Sequence, residues 1–329
     1  MRRMKSGFGV VWGLRHIIAA MLVPLIFLTC ASPLQLAATD AVRLEFARDA
    51  IVNGLYTFQP SIDVSTFNLG TDELAELFTS IIKDDPYLFF VDDRLPFSYN
   101  KEGKVLSVKP VYIMTKTEAE AAWSYCQMMV RELAQGVCGT EEEIALELHD
   151  RICREYSYDE QLKNDNIYDF FLSGSGTCQA YTLLYTAVLS FCGIEAHFAA
   201  SDSISHMWNL VQVDGEWYHV DVTWDDSLSD GKGEIGRRHF LCSDMMASER
   251  GHRDWYSSVE AVCLSEKYRD FDFDGMAIDE SVEDHKTKAE IFEILRKRAV
   301  ELERYNDYAG FNMFGFRRLC TKGKDETQT

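Results

Sequence analysis

Leu74, Leu77, Phe78, Ile81 and Ile82 recur at i, i+3, i+4, i+7 and i+8, which predicts an amphipathic helix over residues 71–82. After Pro86 the pattern shortens: Tyr87–Val91 and Val105–Met114, either side of an Asn100–Gly103 turn, read as two strands. Ala122, Cys126, Met129, Val130 and Leu133 share one face of a second helix over residues 117–133. Gly136 and Gly139 then interrupt, and Thr140 followed by three glutamates opens a helix from Glu141 to Arg154, since acids suit the positive end of the helix dipole. Tyr181, Leu184, Tyr185, Val188 and Leu189 lie on one face of a further helix, with Thr177 as its cap and Gly193 as its stop. Near the end, Ile291, Ile294, Leu295, Ala299 and Leu302 form a helical stripe within residues 283–304, ahead of a polar tail.

Residues 206–224 alternate around Asp214-Gly215, the strongest signal for a two-residue hairpin. That turn sets Trp208 opposite Asp221 and Leu210 opposite His219. Met207, Val211, Val213, Tyr218, Val220 and Val222 then form one apolar layer, which pins the register. On the other face His206 and Asp221 become diagonal neighbours, about 7 Å apart at the backbone and within side-chain reach.

The composition suits a folded chain: 329 residues, 47% apolar, with six prolines. A net charge of -20, from 53 acids against 33 bases, repels phosphate backbones and disfavours a nucleic-acid partner. The N-terminus differs, because Arg2, Arg3, Lys5 and Arg15 precede the apolar run Ile17–Ala31 and no acid occurs before Asp40. Bases followed by a short apolar run predict an export signal, with small residues at Thr29 and Ala31 for cleavage and a retained anchor as the alternative. An extracellular or cell-envelope location follows, with any membrane contact confined to this segment. Nine cysteines occur with no C-x-x-C pair, so no zinc site is suggested, and packing or disulfide roles both stay open. Asp270, Asp272 and Asp274 copy the first half of a calcium loop, but Ser281 stands where the bidentate Glu belongs; solvated acids are the better reading, and no cofactor or metal is expected.

The chemistry centres on Gly174-Ser-Gly-Thr-Cys178-Gln-Ala-Tyr181. Two glycines free the backbone before Cys178, which sits on the first helical turn, where unpaired amides favour the thiolate and can cradle an oxyanion. A base is supplied by His206, with Asp221 to hold its tautomer, giving a Cys-His-Asp triad. His219, on the same face, is the rival base, read as a supporting or surface residue.

Three ordered blocks carry a resemblance: Gly176-x-Cys178-x-x-Tyr181, His206-x-Trp208-Asn209, and Asp214-Gly215-x-Trp217-Tyr218-x-Val220-Asp221-x-Thr223-Trp224-Asp225. Together with Leu148-His149-Asp150 and Arg238–Asp244, they resemble the transglutaminase-like superfamily over residues 145–255, closest to its bacterial, kyphoscoliosis-peptidase-like branch. The resemblance implies an α+β papain-like core, a nucleophile helix packed on an antiparallel sheet, and the triad Cys178, His206 and Asp221. Ala180 departs from it, since glycine is usual there. Gln179 and Tyr158 become candidates for the oxyanion, and Trp208, Asn209 and Trp224 for the lining of the site. The expected organisation is a signal or anchor (1–38), an α+β lead-in unit (39–135), the catalytic core (136–265) and a helical extension with a tail (266–329). The expected function is exported acyl transfer from protein or peptide amides through a thioester on Cys178, as protease or amidase before crosslinker. The alternative is an idle binding or cell-surface scaffold module. Substrate and oligomeric state are not encoded in these motifs.

Overall fold

A computed structural model describes residues 33–226 and 235–269. Helix α1 spans Pro33–Tyr56. The chain divides between Arg43 and Leu44 into two compact units; within the first, the described residues belong to α1, and the rest of the account concerns the second. The export segment, the Asp270–Asp274 loop and the helix expected over 283–304 lie outside the described residues.

In the second unit Ala47, Ile51 and Leu55 bury one stripe of α1, a spacing of four that the sequence carries. Strand β1 (Ile62–Asp63) and helix α2 (Thr71–Asp84) follow, and α2 covers the predicted 71–82. Strands β2 (Phe97–Tyr99) and β3 (Val105–Val108) make a sheet of order β1-β3-β2. The Asn100–Gly103 turn is where expected, with Asn100 Oδ1 accepting from the backbone of Glu102 and Lys104. Its first strand is not. Residues 87–91 form turns with a single bridge from Val91 to Tyr112. They are apolar because Phe89 and Phe90 sit among Tyr168, Trp123 and Tyr112 on several sides, which needs burial rather than strand pairing. Strand β3 stops short of the predicted Met114 because Pro110 has no N–H for the ladder.

Helices α3 (Lys116–Leu133) and α4 (Glu141–Glu155) both start in capping boxes, Thr115 with Glu118 and Thr140 with Glu143. Strand β4 (Ser157–Tyr158), helix α5 (Ile167–Ser173) and strand β5 (Ser175–Gly176) lead into α6 (Cys178–Phe191). Residues 180–189 of α6 are all buried, not only the predicted face, because α3, α4 and α5 flank it while the sheet covers another side. That sheet is antiparallel, of order β8-β7-β6-β9, from β6 (Ala196–Ser201), β7 (His206–Val213), β8 (Glu216–Val220) and β9 (Tyr256–Ser257). The hairpin register is the predicted one, from Val213 opposite Glu216 to Asn209 opposite Val220.

Two features differ beyond it. Asp221 has left the strand and caps helix α7 (Val222–Asp225), and Trp208 pairs with Ala199 of β6 instead. The second face of the sheet is also buried: Ala199, Trp208, Leu210 and Cys263 form a small core under Trp255, Val259 and Ala261, past helix α8 (Asp244–Glu249). The cysteines among the described residues carry free thiols. Among the described residues no helix is long and apolar enough to cross a membrane.

Candidate active site

Cys178 is placed by a short parallel pairing, in which Tyr158 of β4 lies opposite Gly176 of β5. Asp159 organises the loop beyond β4, its carboxylate accepting from the backbone of Gln161, Lys163 and Asn164, and those bonds hold it below the usual carboxylate range. Asn164 in turn accepts the Thr177 N–H at 2.8 Å. Gly176 is required by contact: a Cβ there would lie 2.8 Å from both Ala180 Cβ and the Phe170 ring. The methyl of Ala180 thus fills the space that its departure from the family pattern narrows.

Thr177 stands at the cap position of α6 but not in the predicted role. Its hydroxyl is buried, without a hydrogen-bond partner, and makes no cap bond. The first-turn amides beside Cys178 are therefore left for another acceptor.

His206 opens β7 and donates from Nε2 to Asp221 Oδ2 at 2.7 Å. Its remaining nitrogen, Nδ1, is the one available to Cys178, whose thiol is near enough to help raise the pKa of the ring. Trp224 stacks on the imidazole with centroids 4.6 Å apart and planes 7° apart, and Trp208 lies near-parallel at 5.8 Å. Burial pulls the His206 pKa down, but the charge and hydrogen bond of Asp221, with Cys178, outweigh it and push it up to about 10. Asp221 is held well below the carboxylate range: burial opposes this, and the His206 and His252 bonds overcome it. Its Oδ1 accepts the Trp224 N–H at 3.1 Å, so capping α7 and orienting His206 are done by one side chain.

His252 is absent from the sequence expectation. Its Nε2 lies 2.8 Å from Asp221 Oδ2, the oxygen that also binds His206. No periodicity announces it, because it sits in an irregular segment after α8, 31 residues from Asp221. His219, the rival base, is buried on the far core and fully engaged: its Nδ1 accepts from Trp208 Nε1 at 2.9 Å and its Nε2 donates to Asp244 at 2.9 Å. Burial lowers its pKa, which disfavours a charged ring there. Asn209 does not line the site. It faces α6, donating to Thr182 O at 3.1 Å and Thr186 Oγ1 at 2.9 Å, and so pins α6 to β7. Tyr158 is half-buried, and burial, with Cys178 and Asp159 nearby, raises its phenol pKa, so the hydroxyl keeps its proton to donate. Gln179 is half-buried on the same first turn as Cys178.

Below α7 lies a second polar network. His149, pushed up to about 9 because Asp150 and Asp225 outweigh its burial, bridges those carboxylates; Arg237 also binds Asp150, and His239 Nδ1 binds Asp225 at 3.0 Å. Two groups among the described residues bring metal-type atoms within 4.8 Å of one another, His206/Asp221/His252 and His219/Asp244/Cys263. The indole N–H fixes His219 with its proton on Nε2, toward Asp244, and a metal there would have to displace it.

The segment that holds Cys178, His206 and Asp221 is also the one that a family model matches: residues 129–222 fit the description "transglutaminase-like superfamily". This segment belongs to that superfamily. Its fold is the α+β papain/transglutaminase-like one, with α6 packed on an antiparallel sheet. The match ends before His239 and His252. Among solved structures, a TGase aligns over 47% of this chain and 48% of its own at 10% identity, with a TM-score of 0.29. A candidate protease from Parabacteroides distasonis aligns over 37% of this chain and 29% of its own, at 17% identity and a TM-score of 0.25. A candidate cysteine protease from Cytophaga hutchinsonii aligns over 50% and 73%, at 11% identity and a TM-score of 0.25. The chain thus spans about half of the first of these and under a third of the second. No curated protein matches the chain.

Proposed function

We propose that this chain is an exported cysteine acyl-transfer enzyme that hydrolyses protein or peptide amides. The observation that carries the reading is one set of groups: Cys178 at the start of α6, near enough to His206 to help raise the pKa of its ring, and Asp221 bound to the ring's Nε2. In this reading the Cys178 thiolate attacks an amide carbonyl, forming a C–S bond. The resulting oxyanion is met by the first-turn amides, with Tyr158 or Gln179 as the side-chain donor. His206 passes its proton to the leaving amine as the C–N bond breaks, which leaves a thioester. A water molecule then gives a proton to His206 and its oxygen to the carbonyl, and the carboxylic acid departs as the thiol re-forms. Trp224, stacked on His206, and Trp208, near-parallel to it, keep the ring in one plane and shield it from solvent. Water is preferred to an amine as acceptor because it needs no second binding site.

Limiting iodoacetamide on the full chain, followed by peptide mapping, tests this, with the exposed Cys138 as an internal standard. Cys178 is expected to react well ahead of Cys138, and His206→Ala to abolish the preference. Equal rates in the wild type would leave an idle binding module as the better account. An unfolded protein substrate with a labelled primary amine then separates the acceptors, since hydrolysis leaves the label in solution and crosslinking chemistry incorporates it.

A further inference from the structure

We propose that His252 is a positioning residue of this site, donating its Nε2–H to Asp221 and thereby limiting how tightly that carboxylate holds the proton of His206. The inference rests on the acyl-transfer reading for its purpose, but not for its measurement.

Asp221 carries three donors: His206 Nε2 at 2.7 Å and His252 Nε2 at 2.8 Å on Oδ2, and Trp224 N at 3.1 Å on Oδ1. An oxygen shared between two N–H groups attracts each proton less than it would attract one alone. The other nitrogen of His252, Nδ1, is buried with no hydrogen-bond partner. A proton there would be an unpaired buried donor, whereas Asp221 offers an acceptor at Nε2, so the ring is fixed as a donor to Asp221. It cannot turn away. Trp208 and Trp224, the indoles stacked on His206, also hold His252, at centroid distances of 4.3 and 4.4 Å. Its backbone N–H binds Ala247 O at 3.0 Å, and Gly251, at φ +115°, lies close under Trp224 and supplies the left-handed turn that brings the ring in.

The other titratable groups facing this cluster are Cys178 from α6, His219 from β8, which feels the charge of His252, His239, whose ring lies 5.6 Å from His252, and Cys242, which feels the Asp221 charge. None of these is a second donor given to Asp221 Oδ2; among the described residues His252 alone shares it with His206. The consequence for catalysis is direct. His206 must surrender its proton to the leaving amine, and an Asp221 that bound His206 alone would oppose the transfer.

The test is a histidine-ring NMR titration of the full chain. With His252→Phe the His206 midpoint should rise by about one pH unit, and His252→Gln, whose amide nitrogen can reach the place of Nε2, should restore it. An unchanged midpoint in folded His252→Phe overturns the proposal. If that variant does not fold, the wild-type ¹⁵N spectrum decides: a proton on Nε2 of His252 supports the proposal, and one on Nδ1 with a bare Nε2 overturns it. Slow alkylation of Cys178 alongside a shifted His206 midpoint would remove the acyl-transfer reading and leave the coupling standing.

Discussion

His206 and Asp221 meet at 2.7 Å across the end of a hairpin, at the point where Asp221 has left the strand to cap a helix. The carboxylate is therefore held by three donors, the imidazoles of His206 and His252 and the Trp224 N–H. Asp221→Asn keeps its size but can present an N–H to His206, which favours the wrong tautomer. Any amide hydrolysis should fall by on the order of 10³–10⁴-fold, and Cys178 alkylation should slow toward the rate of an ordinary thiol. Circular dichroism should show the fold retained, and an active Asp221→Asn protein would remove Asp221 from the triad.

The same pair makes stability depend on pH. The folded-state pKa of His206 is raised from its ordinary value to about 10. Its stabilisation is then fully present below about 6.5 and is lost as the pH rises through the folded value. Melting temperatures from pH 6 to 10.5 should fall more for the wild type than for His206→Asn. His149, pushed up to about 9, titrates in the same window and is common to both proteins, so the difference between the two curves reports His206. Parallel curves would mean that the pair does not form.

Asn209 belongs to stability rather than to chemistry. Asn209→Ala removes two hydrogen bonds between β7 and α6 and leaves Thr186 Oγ1 without that donor, at a cost of about 1–3 kcal/mol. Urea denaturation should show a lower midpoint, with the Cys178 alkylation rate per folded molecule kept within a few-fold. A complete loss of reactivity in a folded protein would return Asn209 to the site.

Gly176→Ala tests the approach to the nucleophile. Its Cβ would meet Ala180 Cβ and the Phe170 ring at 2.8 Å, and such overpacking costs about 1–3 kcal/mol. Adding Ala180→Gly should recover part of the loss, since it relieves one of the two contacts. Strict additivity of the two single effects in thermal melts would show that the residues do not meet.

What the sequence by itself determined is whatever short-range rules govern. Helices α2, α3 and α4 follow from periodicity and caps, and the β7–β8 register follows from Asp214-Gly215 and one apolar layer. Cys178, His206 and Asp221 could be named together because His206 and Asp221 lie on one hairpin, whose geometry a turn dictates, and Cys178 stands at a helix start marked by glycines. Residues 87–91 misled because an apolar run records burial without saying against what. Tertiary structure decided the rest. Asn209 and His219 could be assigned a face of β7 and β8, but which core covers each face depends on α6 and on the segment beyond α8, far along the chain. His252 reaches Asp221 from 31 residues away with no turn or period to announce it. Hydrogen bonds of that kind follow from packing, and local sequence carries no trace of them until the chain has folded.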